Sequence, residues 1–233
     1  MIQLSDHFTY KKLLRFVFPS IVMMIFTSIY NVVDGLFVSN FVGKSAFAAV
    51  NLTLPFVMAF SALGFMIGTG GSAIVAKTLV EGNTKKANEY FSMLVYGAIS
   101  GGIICSITNA LMIRPVAIRM GASGELLENA VLYGRLSSIS MTAFILQNVF
   151  QSFFVAAEKP KLGLVVIVSA GVTNMILDLL FVGIFHWGVA GAAYATNCSE
   201  FVGGLIPLFY FFRKNSSKLR LGKTRFYGNV LWK

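Results

Sequence analysis

The sequence predicts an all-α, polytopic membrane protein of six transmembrane helices, and three observations carry that reading. Hydrophobic residues make up 56% of the 233-residue chain and charged residues only 12%, about half the charged share of a soluble domain. Mean hydropathy is +0.75. Six stretches are each long enough for the roughly 20 helical residues that a hydrocarbon core requires. The charge is also sorted: of 19 Lys and Arg residues, 15 fall on one set of helix ends.

The first span is expected near 14–39. It follows Lys11, Lys12 and Arg15, carries no charge over 16–33, and then reaches Asp34. It is too long for a signal-peptide core and no small-residue cleavage site follows, so it is expected to stay as a span. The second, near 46–76, lies within 32 uncharged residues between Lys44 and Lys77. That is about 48 Å of helix, too long for a straight crossing. Pro55 and Gly64, Gly68, Gly70 and Gly71 give it places to bend or to pack closely. The third span is expected near 90–113, after Lys85 and Lys86, and 114–124 reads as a short external loop. The fourth is expected near 129–157. In the fifth, near 163–185, Asp178 is the sole charge. The sixth is expected near 188–212. These six form one unit, 1–212. The tail, 213–233, reads as a basic cytoplasmic segment that turns apolar at Val230, Leu231 and Trp232, where a seventh helix would begin.

Positive residues stay in the cytoplasm, so both termini are expected inside. The net charge of +10 is then topology signal with some attraction to anionic lipid. No nucleic-acid recognition motif accompanies it. Cys105 and Cys198 sit in apolar stretches without metal-ligand or redox spacing. His7 and His186 form no metal cluster, with His186 reading as an interfacial residue beside Trp187. No nucleophile elbow or phosphate loop is present. An enzyme is therefore not expected, nor any cofactor.

The remaining signal is polar residues inside the spans. A carboxylate near the bilayer centre costs roughly 2.5–3.5 kcal/mol on insertion scales and usually binds an ion, a proton or a cationic ligand. Asn31 and Asp34 share a helix face, as do Asn174 and Asp178, and Asn197 and Glu200. Gln147, Asn148 and Gln151 add amides on the fourth span. Counted by helical rise, Asp34 lies roughly 27 Å and Asp178 roughly 22 Å from the inner side, with Thr196 at a similar level. Asp34, Asn174, Asp178 and Thr196 would form one oxygen-rich site if the first, fifth and sixth spans adjoin, which spacing alone does not establish. A lone Asn or Thr in a span more often only holds helices together. Two carboxylates at one level fit that role poorly.

The stretches FPSIVMMIFTSIYNVVDGLFVSNFVG, AFAAVNLTLP, AKTLVEGNTKKANEYF and above all NMILDLLFVGIFHWGVAGAAYAT resemble the N-terminal half of a multidrug and toxic compound extrusion (MATE) transporter. The resemblance implies one lobe of a twelve-helix, two-lobe transporter. It implies a cation-coupled (H+ or Na+) antiporter exporting cationic, amphipathic compounds by alternating access, in the bacterial cytoplasmic membrane. In one branch of the family the cation site falls on Asp34, Asn174, Asp178 and Thr196, with Tyr133 as the fourth-span tyrosine. Asn31, Gln147, Gln151, Asn197 and Glu200 are further candidates for lining the cavity. Val155 stands where many members carry Arg, and Glu200 where Gln is frequent. Six spans make one lobe, so the expected partners include a missing C-terminal lobe or a second half-transporter, with truncation the favoured explanation. The competing functions are a lipid-linked saccharide flippase, whose cavity cations the spans would supply with Arg135 at most, and a non-transporting assembly subunit.

Overall fold

The computed structural model describes residues 10–225 and 227. Residues 1–9, 226 and 228–233, and the side chains at 11–13, 15, 16 and 31, fall outside that description. The apolar residues expected to open a seventh helix, Val230, Leu231 and Trp232, therefore lie outside the described residues.

Among the described residues six α-helices follow one another: α1 (Tyr10–Phe37), α2 (Lys44–Val80), α3 (Thr84–Arg119), α4 (Gly124–Ala156), α5 (Pro160–Asp178) and α6 (Gly188–Phe212). The first five meet the length and apolarity needed to cross a membrane. α6 has 25 residues, but Thr196, Asn197, Ser199 and Glu200 dilute its apolar character. The helices overrun their apolar stretches. The segment 114–124, expected as a loop, is helical through Arg119, with Pro115 inside it. Arg114 pairs there with Glu128 at 3.1 Å across the turn to α4.

The turns explain where the helices stop. After α2, Gly82 takes φ +84°, a conformation that a Cβ disfavours. Its N–H and that of Asn83 bond back to the carbonyls of Leu79 and Thr78. The Asn83 side chain then accepts the Lys86 N–H at 3.1 Å and caps α3. Pro160 opens α5, where its missing N–H costs nothing.

α4 is the central post and packs against α2, α3 and α6. α5 joins α6 to α1, which lies at the edge. Small residues permit this closeness. A Cβ at Gly64 would stand 2.7 Å from the Ile145 carbonyl oxygen, and one at Gly204 only 2.4 Å from that of Ala143. Gly171 of α5 receives the rings of Phe26 and Tyr30 from α1. Of the glycines expected to assist α2, Gly64, Gly68 and Gly71 make close contacts, whereas Gly70 has nothing near it. Polar contacts add to the seam: Asn109 of α3 donates to the Gly134 carbonyl at 2.9 Å and to Ser138 Oγ at 2.7 Å. At the Lys-rich end, Phe91, Phe150, Phe153, Phe154 and Phe211 form a dry aromatic plug. Leu219 and Leu221 of the tail complete it. The tail is fastened along α3, with Arg220 N–H on Asn88 Oδ1 at 2.9 Å and Gly222 N–H on Ser92 Oγ at 3.0 Å.

Replacing Gly204 with Val is expected to destabilise the purified chain by about 1–3 kcal/mol, the usual cost of overpacking. Gly70→Ala, in open space, is expected to leave the melting temperature unchanged or slightly higher. Equal melting temperatures for Gly204→Val and the parent would show that α4 and α6 are not in close contact.

Candidate functional site

α1 packs on α5 and α5 on α6, so the adjacency that the sequence left open is present. Both carboxylate-bearing helices change pitch directly beyond the acid. α1 passes into a π-helical turn at Val38–Val42, and α5 into another at Leu179–Ile184. Gly43 N–H bonds to the Val38 carbonyl at 3.1 Å, and Phe185 N–H to that of Leu180 at 2.8 Å, each across five residues. The two wide turns touch each other and α6. Turns of this kind re-aim the following side chains and recur at functional sites. Nothing in the residue pattern announced them.

In front of the turns lies a cavity of about 530 Å³. Asp34, Tyr133, Asn174, Thr196 and Glu200 line it. Asp178 sits behind them, 0% exposed, with its carboxylate beside that of Asp34. Thr196 adjoins Tyr133 across the α4–α6 seam. The oxygens here are unusually idle. Asp34 Oδ1, Asn174 Oδ1, both oxygens of Asp178 and Thr196 Oγ are buried without a hydrogen-bond partner. Buried polar atoms are normally satisfied, and an unmet carboxylate oxygen in a low-dielectric interior is costly. Two adjacent carboxylates also repel unless a cation or a shared proton lies between them. Four residues from three helices thus carry unmet hard oxygen donors in and behind one cavity. That donor set suits an alkali cation or a proton and not a soft transition metal.

The other candidates divide. Glu200 lines the cavity. Gln147 is buried against Gly203 and beside Tyr30, and is not among the lining residues. Gln151 is not among them either. Asn197 corrects the expectation most clearly. Its amide donates to the Leu136 carbonyl at 3.0 Å and accepts from Ser140 Oγ at 2.6 Å, so it ties α6 to α4. The side chain of Asn31 lies outside the described residues. Sequence reasoning missed Tyr30, which lines the cavity within reach of both Asp34 and Glu200. Its spacing of four from Asp34 puts it on the same helix face, and that was the available signal. It also missed Ser137.

The MatE family model matches residues 19–180. Among curated relatives, the multidrug export protein MepA of Staphylococcus haemolyticus is 27% identical over 208 residues, which is 89% of this chain and 46% of that protein. The chain thus spans about half the length of the curated relatives it matches. A crystal structure of a MATE protein in a bent conformation superposes with a TM-score of 0.87 at 26% identity, covering 95% of this chain and 50% of that one. An outward-facing multidrug resistance MATE transporter of the MOP superfamily gives the same score and identity over 94% and 49%.

Asn174→Ala and Asn197→Ala separate the two roles of asparagine. Asn197→Ala strands Ser140 and a backbone carbonyl and is expected to lower stability by about 1–3 kcal/mol, with cation affinity nearly unchanged. Asn174→Ala is expected to weaken cation binding with little change in melting temperature. Calorimetric cation titrations beside thermal melts read both effects, and a reversed pattern would move the site from α5 to α6.

Proposed function

Because this chain belongs to the MatE family, we propose that it forms the N-terminal, six-helix lobe of a two-lobed antiporter exporting cationic, amphipathic compounds in exchange for H+ or Na+. The observation that carries this is the set of unpartnered buried oxygens on Asp34, Asn174, Asp178 and Thr196. Relatives named as multidrug export proteins support a transport reading.

In this mechanism a cation or proton enters between Asp34 and Asp178 and neutralises their repulsion. Asn174 and Thr196 supply the remaining oxygens. Loading draws α1 toward α5, and the π turn at Val38–Val42 absorbs the change of direction. The inner surface of the cavity then loses negative charge and releases a cationic substrate. Release of the ion to the other side restores the charge and the affinity. Two states that bind ion and substrate alternately are the minimum for exchange. The second lobe would close the far wall of the cavity, where lipid would otherwise meet polar groups. The Lys- and Arg-bearing turns support a topology with both described ends on the cytoplasmic side by the positive-inside rule, in a bacterial cytoplasmic membrane.

A saccharide flippase is disfavoured by the same wall. Its pyrophosphate would need cations, whereas the described lining residues include Asp34 and Glu200 but no Lys, Arg or His. Arg135 is exposed and does not line the cavity.

The test is ion-dependent stabilisation of the purified chain in lipid nanodiscs. Na+ in exchange for choline at alkaline pH, or acid without Na+, is expected to raise the melting temperature, and whichever does so names the coupling ion. Asp34→Asn and Asp178→Asn are each expected to abolish the response. A rise of equal size in both variants would contradict the proposal.

A further inference from the structure

The cavity carries one acidic group that ion exchange at the Asp34–Asp178 pair does not use. Glu200 reaches the lining from α6 and lies beside Ser140 of α4. Its Oε2 is buried without a hydrogen-bond partner. Ser137, one turn before Ser140 on α4, also lines the cavity, is 7% exposed, and has an unpartnered Oγ. Ser199 adds a third oxygen to the lining, although its hydroxyl already donates to the Thr196 carbonyl at 2.8 Å. Tyr30 stands within electrostatic reach of Glu200 on one side and Asp34 on the other. The apolar part of the wall, Val57, Met58, Met141 and Phe144, comes from α2 and α4.

We propose that Glu200, with Ser137, forms a second cation subsite that holds one positive centre of an organic dication while the apolar wall holds its body. This rests on the transport reading above and extends it to the class of substrate. Asp34 and Glu200 line the cavity with Asp178 behind them and no basic residue among the described lining residues, so the ionised acids would carry more negative charge than a single monovalent ion neutralises. An ammonium or phosphonium centre against Glu200 would supply the missing charge. The hydroxyls of Ser137 and Ser199 add oxygens to the same cavity wall. The Asp34–Asp178 pair then takes either the coupling ion or the second positive centre of the substrate. Competition for that pair would let the ion expel a dication more sharply than a monocation.

The experiment compares equilibrium binding of methyltriphenylphosphonium with that of an alkane-linked bis(triphenylphosphonium), using the full chain in nanodiscs. The parent chain is expected to favour the dication. Glu200→Gln is expected to lower the dication-to-monocation affinity ratio about tenfold, as for one lost charge-assisted contact. Glu200→Asp, which keeps the charge, is expected to retain most of the ratio. If Glu200→Gln yields no folded protein, Ser137→Val provides the reading, and is expected to weaken the dication more than the monocation. Equal binding of both probes by the parent, or an unchanged ratio in Glu200→Gln, overturns the subsite and leaves the antiporter reading standing. Failure of the parent to bind either probe overturns both.

Discussion

The fold is organised around a repulsion. Asp34 and Asp178 are brought side by side from two helices, inside a wall where charge is poorly screened. Asp34 Oδ1, both oxygens of Asp178, Asn174 Oδ1 and Thr196 Oγ have no hydrogen-bond partner. Burying so many unmet acceptors is costly unless a cation or a proton lies among them. Helix packing elsewhere supports this local cost. α4 is gripped by α2, α3 and α6 through glycine contacts and an aromatic plug, which fixes α6 and, through it, α5. α1 rests on α5 alone along most of its length. The acid on the loosely held helix thus faces the acid on the firmly held one.

The two π-helical turns give that asymmetry a mechanical meaning. Each begins within a turn of its carboxylate, and the two turns meet. A π turn is an α-helix with one residue too many, and it can pass to regular helix by a shift of hydrogen bonds from five residues to four. Charge added or removed at the acids therefore acts beside the one place in each helix where hydrogen bonding is already irregular. The same arrangement explains why α6 tolerates Thr196, Asn197, Ser199 and Glu200 in mid-helix. Its polar stripe divides between a cavity face and a seam with α4, where Asn197 bridges Ser140 and the Leu136 carbonyl.

Much of this was legible in the residues, for physical reasons. A lone Asp in an apolar run is conspicuous because lipid forbids it, so Asp34 and Asp178 stood out without any structure. Helical rise set them and Thr196 at a similar depth, the four-residue spacing put Asn174 on the face of Asp178, and the family resemblance joined Tyr133 to them. What spacing could not supply was neighbourhood. Asn197 and Thr196 are adjacent in sequence, yet one hydrogen-bonds across a helix seam and the other faces the cavity. A one-residue step turns a side chain by about 100° around the helix, and only the position of α4 decides which face is which. The end of α3 was misjudged because Arg114 and Arg119 read as loop charge. There the helix projects past its apolar stretch, and Arg114 pairs with Glu128 of α4.

The most direct test of the central claim is ion-exchange difference infrared spectroscopy of the chain in lipid, assigning carboxylate bands with Asp34→Asn and Asp178→Asn. The account predicts that bands from these two residues shift when Na+ or protons are added, and that losing either acid removes the response of the other. Bands from both residues that stay fixed across all Na+ concentrations and pH values would contradict it.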